Sequence, residues 1–200
     1  MKLVLASNNA GKLRELQAML APLGVELVAQ DSLGVPEAPE PHCTFLENAL
    51  AKARHASACT GLPALADDAG LCVEAFGGLP GVDTAYYATQ FGLPKGDANN
   101  IKVLLRELAP HADRRAALVS TIVAVRHDKD PQPLVASGRI AGVIAQEPTG
   151  DGGFGFDPVL WIPEAGLTLA QMSAERKNAI SHRGQASRQM MDLIRTQWLA

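Results

Sequence analysis

Hydrophobic and polar positions follow two different patterns at the start of the chain. Residues 3–6 form an apolar run that is too short for a helix and predicts a buried strand. Leu13, Leu16 and Leu20 recur at helical spacing and predict a helix. The polar residues 7–9 lie between them and suit a turn and a helix cap. The chain therefore begins with a strand, a tight polar turn and a helix.

Strand and helix patterns continue to the end of the chain. Further strands are predicted at residues 25–29, 63–66 and 71–76, and further helices at residues 44–58 and 97–108. Two long β-branched runs then predict an antiparallel hairpin, at residues 115–126 and 134–145. Ser181 can cap a final helix whose apolar stripe contains Ala186, Met190, Leu193 and Ile194. This order predicts an α/β fold with a mixed sheet flanked by helices.

Length and charge narrow the class of protein. A chain of 200 residues suits one domain, with room for two lobes. The 18 basic and 21 acidic residues give a net charge of −3 without long runs of either sign, so we expect neither nucleic-acid binding nor a membrane-binding face. No apolar stretch has the length of a signal-peptide core or a membrane span. Cys43, Cys59 and Cys72 lack metal-site spacing, so we expect free thiols and a cytoplasmic protein.

The polar turn has the features of a phosphate cradle. The small Gly11 and the cationic Lys12 lie at the start of the predicted helix, where free backbone amides and the helix dipole favour an anion. The spacing differs from G-x-x-x-x-G-K-[ST], so the turn is not a Walker loop. A plain strand-to-helix turn with a solvated lysine explains the same residues equally well.

Two adjacent acids, Asp67 and Asp68, follow a predicted strand. Ligands bind at the carboxyl ends of strands in α/β sheets, and adjacent carboxylates suit Mg²⁺ together with substrate phosphates. One of the acids could also activate a water. An acidic turn without a ligand is the alternative. Glu37 and Glu40, in a proline-rich loop, are further candidate ligands, or else solvated loop acids.

Two clusters in the last quarter of the chain suit a nucleobase. Phe154 and Phe156 lie in its most glycine-dense stretch, where the backbone can approach a ligand and aromatic faces can stack on a base. Lys177, His182 and Arg183 gather around a predicted helix start and can donate hydrogen bonds to a phosphate or a base carbonyl. The alternatives are phenylalanines that fill the core and a charged, solvated helix face.

Six motifs follow one another in a fixed order along nearly the whole chain. They are Ser7-Asn-Asn-Ala-Gly-Lys12, Thr44-Phe-Leu-Glu-Asn-Ala49, Ala66-Asp-Asp-Ala-Gly-Leu71, Gly77-Gly-Leu-Pro-Gly81, Gly153-Phe-Gly-Phe-Asp-Pro158 and Ser181-His-Arg-Gly184. With this set the chain resembles the inosine/xanthosine triphosphate pyrophosphatases, which hydrolyse deaminated purine nucleoside triphosphates. The resemblance implies one pyrophosphatase domain over residues 1–200, an elongated sheet, two lobes with a central nucleotide cleft, a Mg²⁺ cofactor and a homodimer.

The resemblance also implies roles for individual residues. Asp68 would be the general base and a magnesium ligand, Glu40 a second ligand and Asp67 a supporting acid. The triphosphate would be bound by Ser7, Asn8, Asn9, Ala10, Gly11 and Lys12. The remaining substrate contacts would come from Ala69, Phe154, Gly155, Phe156, Asp157, Lys177, His182 and Arg183.

Two positions depart from the family pattern. Ala69 stands where many members carry serine, so a contact to substrate would come from its backbone or from water. Phe156 stands where tyrosine or tryptophan is frequent, which keeps an aromatic stacking face but no polar group.

The implied reaction is attack of a Mg²⁺-polarised water on the α-phosphorus, which releases a nucleoside monophosphate and pyrophosphate. Hypoxanthine and xanthine carry a carbonyl where adenine carries an amino group, so donors such as Arg183 would favour the first two bases. Two other classes remain open. One is a nucleotide-binding regulator without turnover, and the other is a phosphomonoesterase or a pyrophosphatase for other damaged nucleotides.

Overall fold

The computed structural model describes residues 1–200, apart from the side chains of Glu15 and Met19. The strands are β1 (Lys2–Leu5), β2 (Glu26–Ala29), β3 (Ala64–Val73), β4 (Arg115–Val125), β5 (Leu134–Ile144), β6 (Leu160–Ile162) and β7 (Leu167–Thr168). The α-helices are α1 (Ala10–Leu20), α2 (Phe45–Thr60), α3 (Asp97–Leu108), α4 (Ala174–Ile180) and α5 (His182–Gln197). A longer 3₁₀ segment covers Gly81–Phe91. None of the described helices is both long and apolar enough to cross a membrane.

The described strands form one seven-stranded sheet in the order β2-β1-β3-β4-β5-β6-β7. Strand β1 runs parallel to β2 and β3, whereas β6 runs antiparallel to β5 and β7. The sheet is therefore mixed and flanked by helices, and this part of the sequence prediction is confirmed.

Local sequence signals explain where the helices begin. Asn9 caps α1 through its side chain, and Thr44 caps α2 by accepting from the Glu47 amide at 3.2 Å. The Glu47 carboxylate accepts from the Thr44 hydroxyl at 2.6 Å, so the two side chains of this T-x-x-E sequence also contact each other at the helix start. Ser181 Oγ accepts from the Gly184 amide at 3.1 Å at the start of α5. These caps satisfy amides that have no partner inside their helices.

The region of the two adjacent acids differs from the prediction. The sequence predicts two short strands with an acidic turn between them, but β3 is continuous from Ala64 to Val73 and includes Asp67 and Asp68. Both acids are buried, and each pairs with a lysine, so the strand carries them without bare buried charges. Strand β1 pairs with β3 only as far as Leu5 and Leu65. The acids therefore lie within β3, beyond the end of β1.

The chain divides into two compact units. The first contains Met1–Asp68, Ser120–Gly138 and Gln185–Ala200, and the second contains Ala69–Val119 and Arg139–Gly184. In the first unit, alternate residues of β1 and β3 face two separate cores, as the period of a strand requires. Leu3, Leu5 and Leu65 pack with residues of α1 and α5. Val4, Ala64 and Ala66 pack with Ala49, Ala53 and Ala56 of α2.

The core of the second unit is built mainly from α3 and residues of β3 to β6. Leu104 and Leu108 of α3 are fully buried there, together with Leu71 and Val73 of β3. The side chain of Asn100 links α3 to the 3₁₀ segment, because its Oδ1 accepts from the Ala88 amide at 2.8 Å. The helix at Asp97–Leu108 has the bounds that the sequence predicts.

Candidate active site

Asp67 is held in the first unit by contacts to two other elements. Its Oδ2 lies 3.0 Å from Lys12 Nζ of α1, and Lys12 Nζ also donates to the Asp67 carbonyl at 3.0 Å. The hydroxyl of Ser120, in β4, donates to Asp67 Oδ1 at 2.5 Å. Asp67 and Ser120 are both buried. Asp67 and Lys12, for which the sequence predicts separate roles, are therefore in direct contact, and Asp67 fixes the position of the Lys12 ammonium.

Asp68 has a different environment. Its Oδ1 accepts from Lys52 Nζ at 2.8 Å, and the same ammonium lies 2.8 Å from Glu40 Oε2. Asp68 Oδ2 is buried and has no hydrogen-bond partner among the described residues. A buried carboxylate oxygen without a donor is a candidate proton acceptor or metal ligand. The structure brings Glu40 and Asp68 together, as the predicted shared site requires.

Lys52 was missed by the sequence analysis, although the sequence contains a signal for it. Ala49, Ala53 and Ala56 form the buried stripe of α2, and Lys52 falls on the same face by helical spacing. A lysine in an otherwise alanine stripe must find an anionic partner or leave the core. Here the Lys52 ammonium pairs with the carboxylates of Glu40 and Asp68.

The three charged groups shift one another's protonation. Burial raises the pKa of Asp68 above its ordinary value of 3.8, although the charge and hydrogen bond of Lys52 act in the opposite direction. Burial also acts to raise the pKa of Glu40, but the hydrogen bond and charge of Lys52 outweigh it, and the net pKa is lowered. Burial alone would lower the pKa of Lys52, yet the Asp68 charge raises it. Asp68 is thus the carboxylate of this pair with the raised pKa, which suits a general base.

The start of α1 differs in one respect from the predicted cradle. Asn9 Oδ1 accepts from the amides of Gly11 and Lys12 at 2.9 and 3.1 Å, so these two amides are not free for an anion. The reason is that Asn9 is the N-cap, in extended conformation. The Asn9 amide donates to Ser7 Oγ at 3.2 Å. A phosphate bound by the Gly11 and Lys12 amides would have to replace the Asn9 side chain.

The remaining residues of this turn lie at the surface. Asn8 and Ala10 are exposed. Asn8 Nδ2 donates to Glu37 Oε1 at 3.1 Å, so the structure places Glu37 with the turn, whereas Lys52 joins Glu40 to Asp68. Of the two loop acids, Glu40 is therefore the one that shares a lysine with Asp68.

The donor set of the first unit fits a hard divalent cation. Glu40 Oε2 and Asp68 Oδ1 are two carboxylate oxygens that already share one cation, the Lys52 ammonium, and the buried Asp68 Oδ2 stays available to accept a proton. No group of three or more His, Cys, Asp or Glu side chains that could hold a metal occurs among the described residues. Mg²⁺ commonly takes one or two carboxylates and fills its other positions with water and substrate phosphates.

A second group of predicted residues lies in the second unit, around Phe154. The Phe154 side chain is exposed, with Lys177 Nζ 4.8 Å and Arg183 Cζ 5.4 Å from the ring centre. Lys177 Nζ lies 2.8 Å from Asp157 Oδ2, which also accepts from the Phe154 amide at 2.8 Å. His182 is buried at the first position of α5. An exposed ring beside two cations can stack on a base.

Glycine geometry explains the local turn. Gly153 has a φ of +74°, and a Cβ there would collide with the carboxylate of Asp157. The Gly155 amide donates to Asp97 Oδ2 at 2.7 Å. Asp97 was not selected by the sequence analysis, because its contact depends on a partner 58 residues away. Ala69 is half-buried in β3, directly after Asp68.

Phe156 requires a correction. Its ring was expected to keep a stacking face, but it is 2% exposed and packs in the core of the second unit. Gly155 separates the two phenylalanines in the sequence, and Phe156 fills the core whereas Phe154 faces solvent. The alternative of a core-filling side chain holds for Phe156, and of these two rings the accessible one is that of Phe154.

The fold defines a class, an α/β protein with one mixed seven-stranded sheet. The sequence profile of the Ham1 family matches residues 3–193, and the chain belongs to that family. The chain is 67% identical over 199 residues to a dITP/XTP pyrophosphatase of Albidiferax ferrireducens, covering 100% of both chains. It is 68% identical over 200 residues to one of Acidovorax sp. strain JS42, covering 100% of this chain and 98% of the relative.

A solved structure supports the same family. The HAM1 protein of Coxiella burnetii has a TM-score of 0.91 and 42% sequence identity, covering 97% of this chain and 98% of that chain. The resemblance inferred from the six motifs is confirmed by these comparisons.

Proposed function

We propose that this protein is a dITP/XTP pyrophosphatase, which hydrolyses deaminated purine nucleoside triphosphates to a monophosphate and pyrophosphate. The observation that carries the proposal is Asp68, whose buried Oδ2 lacks a donor within the described part of the chain, beside the ammonium of Lys52. The full-length identity of 67% to a protein named dITP/XTP pyrophosphatase supports the same activity. The reaction removes these triphosphates from the nucleotide pool.

In this proposal the first unit binds the triphosphate. Asp68 accepts a proton from the water that attacks the α-phosphorus, for which its raised pKa is suited. Lys12, fixed by Asp67, stabilises the negative charge of the leaving pyrophosphate. Mg²⁺ held by Asp68 and Glu40 would neutralise phosphate charge and polarise the attacking water. Residues 7–11 make the remaining phosphate contacts after the Asn9 side chain gives way.

The second unit binds the base. The Phe154 ring stacks on the purine, and Lys177 is oriented by Asp157 beside that ring. His182 and Arg183 donate hydrogen bonds to the carbonyl of hypoxanthine or xanthine. Adenine presents an amino group at that position, which would face a donor without an acceptor. Ala69 and Gly155 contribute backbone contacts.

Assembly and location complete the proposal. We expect a homodimer and a single pyrophosphatase domain, as the resemblance to the family implies. We place the enzyme in the cytoplasm, where nucleoside triphosphates are made and used. Neither nucleic acid nor a membrane is a proposed partner, in keeping with the net charge of −3 and its even distribution.

An endpoint assay tests the reaction and its specificity together. Purified protein with Mg²⁺ is incubated with dITP, XTP, GTP and ATP, and monophosphate, pyrophosphate and orthophosphate are quantified separately, with Asp68→Asn as the matched inactive control. We expect monophosphate and pyrophosphate from dITP and XTP. Orthophosphate as the product would indicate a phosphatase instead. Binding without turnover would indicate a nucleotide-binding regulator.

A further inference from the structure

The ammonium of Lys52 lies between the two carboxylates proposed to hold the metal. Its Nζ is 2.8 Å from Glu40 Oε2 and 2.8 Å from Asp68 Oδ1. A third acceptor, the carbonyl of Asp67, lies at 3.4 Å. An ammonium has three N–H donors, and each therefore has an acceptor within reach. Lys52 is thus bound as a cation in an oxygen-lined position.

The rest of the Lys52 side chain is also constrained. It is 12% exposed, and the Asp68 side chain is 9% exposed, so water screens this ion pair only weakly. Lys52 projects from the α2 face that carries the buried Ala49 and Ala53. The helix therefore holds the ammonium in place, whereas Glu40 comes from a loop and its side chain is 44% exposed.

A divalent cation bridging the same carboxylates would need nearly the same position. Mg²⁺ lies about 2.0–2.1 Å from its oxygen ligands, so a cation shared by Glu40 and Asp68 falls where the ammonium now lies. Two cations that close together in a little-exposed site repel each other strongly. Both cannot occupy the position between Glu40 and Asp68.

We infer that Lys52 is a built-in competitor for the metal: its ammonium occupies the place between Glu40 and Asp68 and is displaced when the metal binds. This inference rests on the proposed metal ligands. Before the metal arrives, Lys52 holds the loop carboxylate of Glu40 beside Asp68 and offsets their mutual repulsion. The same contact weakens metal binding, because the metal must first break two ion pairs.

Metal affinity in the absence of nucleotide tests the inference. Binding of Mn²⁺ to the full chain is measured by calorimetry for the wild type, Lys52→Met and Lys12→Met. Both variants lose one positive charge near the site, but Lys12 pairs with Asp67 instead of Glu40 and Asp68. We expect Lys52→Met to bind Mn²⁺ about tenfold tighter or more, and Lys12→Met to gain less than about threefold.

Other outcomes overturn the inference. Equal or weaker Mn²⁺ binding by folded Lys52→Met means that Lys52 does not compete. Absence of Mn²⁺ binding in the wild type and in both variants also contradicts it, because the metal is placed on protein carboxylates without nucleotide. The product assay with dITP and XTP is separate, so the pyrophosphatase function can stand when this inference fails.

A second measurement uses the wild-type protein and covers the case in which Lys52→Met does not fold. The side-chain NMR signal of Lys52, assigned by comparison with Lys52→Arg, is followed during Mg²⁺ titration. We expect it to change with the midpoint of Mg²⁺ binding, while the signal of Lys12 changes less. A Lys52 signal that is unchanged at saturating Mg²⁺ contradicts displacement.

Discussion

Asp67 and Asp68 are consecutive in β3, yet their carboxylates bind lysines from two different helices. Asp67 contacts Lys12 of α1, and Asp68 contacts Lys52 of α2. Successive side chains of a strand point to opposite faces, and the two helices pack on the two separate cores of the first unit. The dipeptide therefore supplies one carboxylate fixed by Lys12 and Ser120, and another with an oxygen available for chemistry.

The first prediction concerns Asp68 as the general base. Asp68→Asn keeps the shape of the side chain but removes its ability to accept a proton, so we expect kcat for dITP to fall by about 10²–10⁴-fold. Steady-state kinetics of pyrophosphate release measures the change, and thermal unfolding checks that the variant folds. A folded Asp68→Asn variant with near-normal kcat would exclude this role.

Two buried serines allow the contribution of one hydrogen bond to the free energy of unfolding to be tested against a control. Ser120 donates to the charged Asp67, whereas Ser187 Oγ has no partner among the residues that the structure describes. Hydrogen bonds to charged groups contribute about 1.5–3 kcal/mol, so Ser120→Ala should lower the free energy of unfolding by that amount. Ser187→Ala should not lower the free energy of unfolding, because a buried hydroxyl without a partner contributes no hydrogen bond. Urea unfolding measures both, and equal losses would contradict the assigned contacts.

Alanine substitutions of Phe154 and Phe156 should have different effects, one on substrate binding and the other on protein stability. Phe154 is exposed, so Phe154→Ala should remove about 1–3 kcal/mol of stacking and raise KM for XTP, with little effect on unfolding. Phe156 is buried, so Phe156→Ala should destabilise the protein by about 3–5 kcal/mol. Kinetics and urea unfolding of both variants measure the split. If Phe154→Ala is destabilised and its KM for XTP is unchanged, Phe154 has a structural role and does not stack on the base.

Features with local causes could be predicted from the sequence. The apolar stripe at residues 97–108 predicts the helix there, and the polar turn before the apolar stripe of α1 predicts its cap. The continuous strand β3 could not be predicted this way, because Asp67 and Asp68 favour a turn locally. Their lysine partners come from other parts of the chain, and these distant contacts override the local preference.

The candidate site was also predictable only in part. Residue types indicated Asp68, Glu40, Lys12 and the cluster around Phe154, but not which atoms meet. Phe154 is exposed and Phe156 is buried, and this difference depends on the backbone path through the glycines around them, which the sequence alone does not show. The role of Lys52 was harder to predict. Its helical spacing places a charged side chain on the buried face of α2, and its partners Glu40 and Asp68 lie 12 and 16 residues away in the sequence.

The fourth prediction concerns the protonation of Asp68 in metal-free protein. Burial raises its folded-state pKa above the ordinary 3.8, so its contribution to stability is full below pH 3.8 and is lost as pH rises through the folded pKa. Lys52 acts to lower that pKa, so Lys52→Met should raise it further. Carboxyl ¹³C NMR titration in EDTA measures both proteins. Asp130, whose hydrogen bonds to Arg126 hold its pKa well below the usual range, is the internal comparison. An Asp68 pKa below 3.8, or unchanged in Lys52→Met, contradicts the prediction.

The last prediction concerns selection of the base. Arg183 is buried beside the exposed Phe154 ring, where its guanidinium can donate to a base carbonyl but cannot accept from an amino group. Arg183→Ala should lower kcat/KM for dITP and XTP by roughly tenfold or more, because a hydrogen bond to a charged donor is lost. The weak use of ATP should change much less.

Arg176, an exposed cation on α4, provides the matched control. Arg176→Ala removes the same charge from the second unit and should leave the ratio of dITP to ATP use unchanged. Competition assays with both substrates in one reaction measure that ratio directly. Equal losses for dITP, XTP and ATP in Arg183→Ala would mean that Arg183 binds a group common to all three, such as phosphate, and that selectivity comes from His182 or Lys177.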